Sequence, residues 1–537
     1  MKDKNAKRPW YFDAVFYQVY PQSFLDTNGD GIGDLPGITR KLDYLKYLGV
    51  DALWLSPIFE SPFSDAGYDV ADYSRIAPRY GKLSDLKRLI REAHRRGMRI
   101  LLDAVYNHTS YRHKWFAESR KMGKNPYSKW YMWSGKNIGG WWIHNDDGRH
   151  DLYLSEFHQN QISLNYGHKS LAKKDGNSPN DPDIKRLHRE MQKVTAYWLD
   201  MGVDGFRCDV PGNIGMKPSG KDMRLLELFW NSIRKVCDSR GVRPIIAEEW
   251  TTPMEALNKW GFNMVFSLHV GHMKKLISAG KPGAGPFRGD PRIFDGELQK
   301  QTMGIRKKDG AVVVFTANHD SERISECAGE DDRLTAIGFL LVLTQNAVPK
   351  IYQGDEIGMR TDHAAPWREW SMGRAQVRTP IQWNAGKNAG FSTASPEKLY
   401  LPVTKNYRER NVAFQMGRPG SLLEEVRRMI ACWKAHPSLH ADGKKVTLNS
   451  RKNDPVYAYG RQGGGETTVV AMNLSGKKAG ATVNLHRLTG GRPALIRPLL
   501  SCRADLFAGK FIPGGPASRL KLDLPPYAWH ILEIIRL

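Results

Sequence analysis

In LSDLKRLIREAHRRG, residues 83–97, Leu86, Leu89, Ile90 and Ala93 recur at the three- and four-residue spacing of one helix face. Ser84 and Asp85 suit the start of that helix and Gly97 its end. MRILLDAVYNH follows at once, a nearly unbroken apolar run of the kind a strand covered on both faces requires. The same strand signature recurs at 15–24, 50–57, 203–210, 243–250, 263–270, 311–320 and 347–356, mostly separated by helix-length spacers. With 99–108 these make eight strand-then-helix units, which predict an α/β fold, a (β/α)8 TIM barrel. The rhythm breaks between the third and fourth strands, where a Trp-, Gly- and Asn-rich interval (WYMWSGKNIGGWW) predicts an inserted subdomain. Beyond about residue 440 the texture becomes short alternating segments such as VTLNS, PVYAYGR, ETTVVAMNLS and AWHILEIIRL, the pattern of an antiparallel β-domain. The expected units are a barrel over 1–107 and 171–440, an insert over 108–170 and a C-terminal β-sandwich over 441–537.

Composition narrows the function classes. Hydrophobic residues at 41% and aromatics at 10% exclude a disordered or collagen-like chain. A net charge of +24 raises an anionic partner, but the basic runs (His94-Arg95-Arg96, Lys173-Lys174, Arg427-Arg428) are short and read as solvated helix faces, so no specific nucleic acid is expected. Five cysteines (Cys208, Cys237, Cys327, Cys432, Cys502) without a C-x-x-C pair point to neither a thiol metal site nor a disulfide framework. The start MKDKNAKRPW lacks an apolar signal core and no stretch of 18 apolar residues occurs, so a cytoplasmic protein with no membrane segment is expected, as a monomer or homodimer.

In a barrel of this type the chemistry sits at the C-terminal strand ends. Here those ends carry Asp103, Asn107 and His108, then Arg207 and Asp209, then Glu248, then His319 and Asp320. Charge at the end of a buried strand is costly unless it is paired or used. Any one of these could be an ordinary loop residue, but four strands ending this way point to a site, with Asp103 among its substrate-binding candidates. Period-two spacing puts Arg207 and Asp209 on one side of their strand and Cys208 on the other. The guanidinium is expected to lower the Asp209 pKa and keep it ionised as a nucleophile. Glu248, one strand on, would act as proton donor if its surroundings raise its pKa. Two carboxyl groups tuned apart are what acetal hydrolysis or transfer requires, and Asp320 would grip sugar hydroxyls.

These residues resemble the α-amylase superfamily, glycoside hydrolase family 13. DAVYNH (103–108), GFRCDV (205–210), AEEW (247–250) and NHD (318–320) resemble its four conserved regions, in order. WYFDAVFYQVYPQSF, DTNGDGIGDLPGI (26–38), GYDVADY (67–73), IYQGDEIGM (351–359) and VRTPIQWNAGKNAGF (377–391) resemble its α-glucosidase, oligo-1,6-glucosidase-like branch. The resemblance runs along essentially the whole chain. It implies a retaining, exo-acting α-glucosidase on short α-glucosides, with Asp209 as nucleophile, Glu248 as acid/base and Asp320 as third carboxylate. It also implies Tyr68 stacked under the sugar at subsite −1, Asp69, His108, Arg207 and His319 on its hydroxyls, and Arg378 closing the pocket beside Asp69. A transglucosylase or a sucrose- or trehalose-type isomerase of the same family is the alternative, since these share the covalent intermediate and differ in whether water or a sugar reaches it.

The segment from Asp26 to Asp34 resembles the first nine positions of an EF-hand loop with Gly31 at the turn, although the twelfth position is Gly37 rather than Glu. The branch implies a structural Ca2+ (or Mg2+) held by Asp26, Asn28, Asp30, Asp34 and the Ile32 carbonyl, with no organic cofactor. The other reading is a Gly/Asp-rich turn without metal. The chain departs from the branch in places. QISLN (161–165) lacks the Pro-Asp of the usual QPDLN, Ser321-Glu322-Arg323 stands where relatives read QPR, and the polar stretch 167–186 suggests a longer flap. Glu249, after the acid/base, lines subsite +1 by resemblance; it either reaches acceptor hydroxyls or faces away as a rim charge. Trp130, Trp133, Trp141 and Trp142 read as the insert's own core, with one or two lining the pocket. Asp209, Glu248 and Asp320 are all present, which argues against a degenerate binding protein.

Overall fold

The computed structural model of the chain describes residues 8–135, 142–144, 151–167, 178–217, 220–266, 291–369, 373–449, 454–502, 509–516 and 518–537. Eight parallel strands close into a barrel: β1 Phe16–Val19, β2 Ala52–Leu55, β3 Arg99–Ala104, β4 Gly205–Cys208, β5 Ile245–Ala247, β6 Met264–Phe266, β7 Ala311–Phe315 and β8 Val348–Tyr352. Each of the eight predicted runs contains one of them. The part of the sixth run after Phe266 lies outside the described residues.

Strand parity decides what faces the barrel interior. On β3, Ile100, Leu102 and Ala104 pack outward against the helices while Leu101 belongs to the cluster inside the barrel. On β7, Val312 and Val314 face out, and Ala311, Val313 and Phe315 fill the interior with Phe16, Trp54, Ile246, Met264 and Phe266. The same parity carries Asp103, Arg207 and Glu248 to the inner side of β3, β4 and β5. The helix predicted over 83–96 runs Leu83–Arg95 and buries Leu86, Leu89, Ile90 and Ala93. Its start is held by Asp85, whose carboxylate accepts the Lys82 N–H at 2.9 Å.

Between β3 and β4 the chain leaves the barrel. His108–Ser110 pairs antiparallel with Gln161–Ser163, and Trp133–Ser134, Leu152–Leu154 and Trp142–His144 form a three-stranded sheet. Trp130 and Trp133 are buried here, Trp130 edge-on to Trp115 and Trp133 stacked on Phe116. Both serve the insert's own core. Trp141, the side chain of Trp142 and residues 168–177 of the expected flap lie outside the described residues.

The C-terminal part adds β9 Lys444–Asn449, β10 Val456–Gly463, β11 Glu466–Asn473, β12 Ala479–Asn484, β13 Ala494–Ser501, β14 Lys510–Ile512, β15 Arg519–Leu524 and β16 Trp529–Arg536. They form a six-stranded antiparallel sheet, ordered β9-β10-β11-β16-β13-β14, and a β12-β15 pair, with one apolar core between them. The outer face of the large sheet (Tyr457, Tyr459, Val470, Trp529) joins the core around the barrel helices. At this junction the buried Arg461 donates to the backbone oxygens of Thr344, Leu439, His440 and Gly443.

Candidate active site

The C-terminal strand ends surround a cavity of about 470 Å3. Asp209 follows β4 and Glu248 follows β5, and because Cys208 pairs with Ala247 across these strands the two acids are neighbours at the rim. Arg207 lies beneath them, 1% exposed. Its Nη1 donates to Asp209 Oδ1 and to Asp103 Oδ1, both at 2.8 Å, and its Nη2 bridges to Glu248 Oε2. One guanidinium therefore answers three carboxyl groups. Val210, directly after Asp209, sits at φ +34° and donates its N–H to Glu248 Oε2 at 3.3 Å. Positive φ is strained for a β-branched residue, and the strain lies beside the reactive pair.

Burial dominates the electrostatics. It pushes the Glu248 carboxyl up to about 8; Arg207 opposes this, and the charges of Asp209 and Asp320 add to it. Burial also raises Asp209, again against Arg207, so the expected lowering is corrected. Desolvation outweighs a guanidinium whose charge is shared among Asp103, Asp209 and Glu248. Asp320 goes the other way. Burial works to raise it, but His319, Arg378 and Arg374 hold it well below the usual carboxylate range. At neutral pH the site thus keeps a proton on Glu248 and a full negative charge on Asp320.

The aromatic wall is built from distant segments. The Tyr68 ring lies parallel to the His319 imidazole with centroids 5.3 Å apart, and its hydroxyl donates to Asp103 Oδ2 at 3.0 Å. Asp103 also accepts from Trp54 Nε1, so both its oxygens are used holding Arg207, Tyr68 and Trp54. His108 lines the cavity and its Nε2 donates to the Tyr68 carbonyl at 3.0 Å. Burial lowers the His108 pKa to about 4, so the ring is neutral.

Comparison with known proteins places this geometry. The family described as Alpha amylase, catalytic domain, matches residues 18–442. The chain belongs to the α-amylase family. It is a glycoside hydrolase of family 13. An oligo-1,6-glucosidase of Parageobacillus thermoglucosidasius is 32% identical, over 88% of this chain and 91% of that protein. The trehalose synthase/amylase TreS of Mycolicibacterium smegmatis is also 32% identical, over 90% and 87%. Among solved structures, an isomaltulose synthase from Erwinia rhapontici superimposes with a TM-score of 0.79 at 27% identity, covering 99% of this chain and 100% of that one.

Within this family frame several residues stand elsewhere than the motifs suggest. Asp69 does not face Arg378. Its oxygens accept the Ser61 hydroxyl and the N–H groups of Ser64 and Asp65, tying the loop that presents Tyr68. Arg378 is fully buried, donating to the His319 carbonyl and to Asp320 Oδ1, both at 2.8 Å. The pair that lines the cavity is Asp65 and Arg374, whose Nη2 reaches Asp65 Oδ1 at 3.0 Å while Nη1 reaches Asp320 Oδ1 at 2.9 Å. These two residues lie three positions before Tyr68 and four before Arg378. Phe63 and Ala66 at positive φ turn Asp65 inward, a loop conformation that no sequence periodicity encodes. Glu156, Phe157 and Gln161 of the insert also line the cavity and were not anticipated. Glu249 is 4% exposed; its Oε1 accepts from Lys221 Nζ at 2.7 Å and from Thr251 and Thr252. The rim-charge reading of Glu249 is the one this geometry favours.

The loop from Asp26 to Asp34 supplies oxygens of the right chemical kind for Ca2+, but they are turned to N–H and O–H donors. Asp26 accepts from the N–H groups of Asn28, Gly29 and Gly31 and from the Ser392 hydroxyl. Asn28 accepts from the Asp30 N–H, Asp30 accepts from the Ile32 N–H and Asn28 Nδ2, and Asp34 accepts from Thr27 and the Gly37 N–H. Among the described residues no group of three or more His, Cys, Asp or Glu side chains is placed to hold a metal ion. The loop's oxygens keep lone pairs beyond those hydrogen bonds, so the set is of the kind that would hold a hard cation, and no step below depends on one. No described helix is long and apolar enough to cross a membrane.

Proposed function

We propose that this protein is a retaining, exo-acting α-glucosidase that removes one glucosyl unit from the non-reducing end of short α-glucosides. The observation that carries this reading is that Glu248 and Asp209 stand side by side at the ends of adjacent strands on one shared guanidinium, Arg207, with burial raising the Glu248 pKa to about 8. Asp209 attacks the anomeric carbon while Glu248 gives its proton to the leaving oxygen, which forms a covalent glucosyl ester. Esterification removes the negative charge of Asp209, one of the charges that raise Glu248. Glu248 is then a better base, and takes the proton of the water that cleaves the ester. Asp320, held ionised, grips hydroxyls of the bound ring with His319 and His108. The Asp65–Arg374 bridge ends the pocket behind that ring, which supports removal of single units over cutting inside a polymer.

The similarity to a trehalose synthase and an isomaltulose synthase favours a second reading, in which a sugar hydroxyl replaces water. An NMR time course on maltose, isomaltose, trehalose and sucrose separates the two. Hydrolysis releases α-glucose first and alone, at a rate that ranks the linkages. New glycosidic signals ahead of glucose would make the protein a transglucosylase or isomerase. First release of β-glucose would overturn the retaining mechanism.

A further inference from the structure

The barrel interior holds a lysine that the chemistry above does not use. Lys350, in the middle of β8, is 1% exposed. Its ammonium lies 5.2 Å from the Trp54 ring centroid and 4.9 Å from that of Phe315. A lysine in such a place is costly, and an aliphatic residue would pack there without that cost. Its Nζ donates to Gln18 Oε1 at 2.8 Å and to the Ala317 carbonyl at 2.6 Å. Gln18, on β1 and fully buried, turns its Nε2 to His319 Nδ1 at 2.9 Å and to Ser56 Oγ at 3.3 Å.

Donor and acceptor chemistry makes this chain directional. As an ammonium, Lys350 has donors only and must meet acceptors, whereas a neutral amine would keep a lone pair and would not fix this direction. Gln18 therefore keeps Oε1 on the lysine, since a flipped amide would set N–H against N–H. Its Nε2 is then a donor toward His319 Nδ1, which must accept. Burial keeps His319 neutral by lowering its pKa well below the usual imidazole value. The single ring proton consequently sits on Nε2, the nitrogen 3.3 Å from Asp320 Oδ2 at the cavity.

We propose that Lys350 is a positioning residue: through Gln18 it fixes the tautomer of His319, so that Nε2–H is presented as a donor to Asp320 and to a hydroxyl of the bound sugar. Asn or Gln side chains alone would leave that choice open, because their amides flip at little cost. This inference rests on the α-glucoside reading only for the identity of the hydroxyl.

The test uses full-length protein labelled with nitrogen-15 at histidine, with the His319 signals assigned by their loss in His319→Gln. In the free wild-type protein His319 Nδ1 is expected to show a pyridine-like shift and Nε2 a pyrrole-like one. Lys350→Met, of similar length and without a donor, is expected to give a mixture of tautomers and about tenfold weaker binding of deoxynojirimycin, a glucose-shaped probe. Gln18→Glu is expected to invert the tautomer, since a carboxylate accepts from both Lys350 and Nδ1–H. Wild-type protein protonated on Nδ1 would overturn the proposal, as would a folded Lys350→Met protein with an unchanged tautomer. These spectra need no substrate. A protein with the expected tautomer that neither binds the probe nor cleaves glucosides would instead overturn the functional reading.

Discussion

Two of the buried arginines, Arg207 and Arg461, have surroundings that separate chemistry from architecture. Arg207 at the barrel mouth meets Asp103, Asp209 and Glu248, groups that can each take up or release a proton. Arg461, at the junction of barrel and C-terminal sheet, meets the backbone oxygens of Thr344, Leu439, His440 and Gly443. Burial lowers the Arg461 pKa to about 10, which leaves it charged at neutral pH among dipoles that cannot titrate. A cation among fixed dipoles is a joint. Among carboxyl groups it distributes protons, leaving one acid protonated next to another that must react. The cost of burial is common to both, and what the neighbours can exchange decides the outcome.

The sharpest way to break the comparison is at Asp209. Asp209→Asn should lower turnover of maltose or isomaltose by about 10⁴-fold while Tm stays within a few degrees, because the nucleophile is lost and the packing is not. Retained turnover would remove Asp209 from the mechanism. Next, Arg207→Met should reduce kcat about a thousandfold, since it leaves three acids with no counter-charge. Arg461→Met should leave kcat at 25 °C nearly unchanged but cost about 3–5 kcal/mol, seen as a fall in Tm of several degrees, because four carbonyls lose their donor. If the Arg461 variant lost activity while fully folded, the division between joint and chemistry would fail.

The smallest expected effect concerns pH. The Glu248 pKa lies above its ordinary value, so between about 4.5 and 8 the folded protein holds a proton there that the unfolded chain releases. Stability from this group is therefore greatest below that window and declines as pH rises through it. Glu248→Gln should flatten this decline and raise Tm at pH 8 by about 1–3 °C, measured by calorimetry against wild type. In the active protein kcat/KM should fall on the alkaline side as Glu248 loses its proton near 8. A profile flat to pH 10 would assign the proton donor to another group.

The amino-acid sequence alone determined the eight-strand rhythm, the β-rich C-terminal part and the shared side of Arg207 and Asp209 on their strand. All of these follow from side-chain alternation along a strand and the spacing of apolar residues along a helix, which are local covalent geometry. The motif resemblance located the acids, but it set Asp69 and Arg378 where the folded chain brings Asp65 and Arg374. That choice belongs to a loop with two residues at positive φ and to a contact between segments 309 positions apart. Only the tertiary structure decided that burial would outweigh Arg207 at Asp209, because desolvation is a property of the closed barrel and not of neighbours in sequence. The same holds for the Lys350–Gln18–His319 chain, whose links span 332 and 301 positions. These residues meet only because β1 pairs with β8 and closes the barrel.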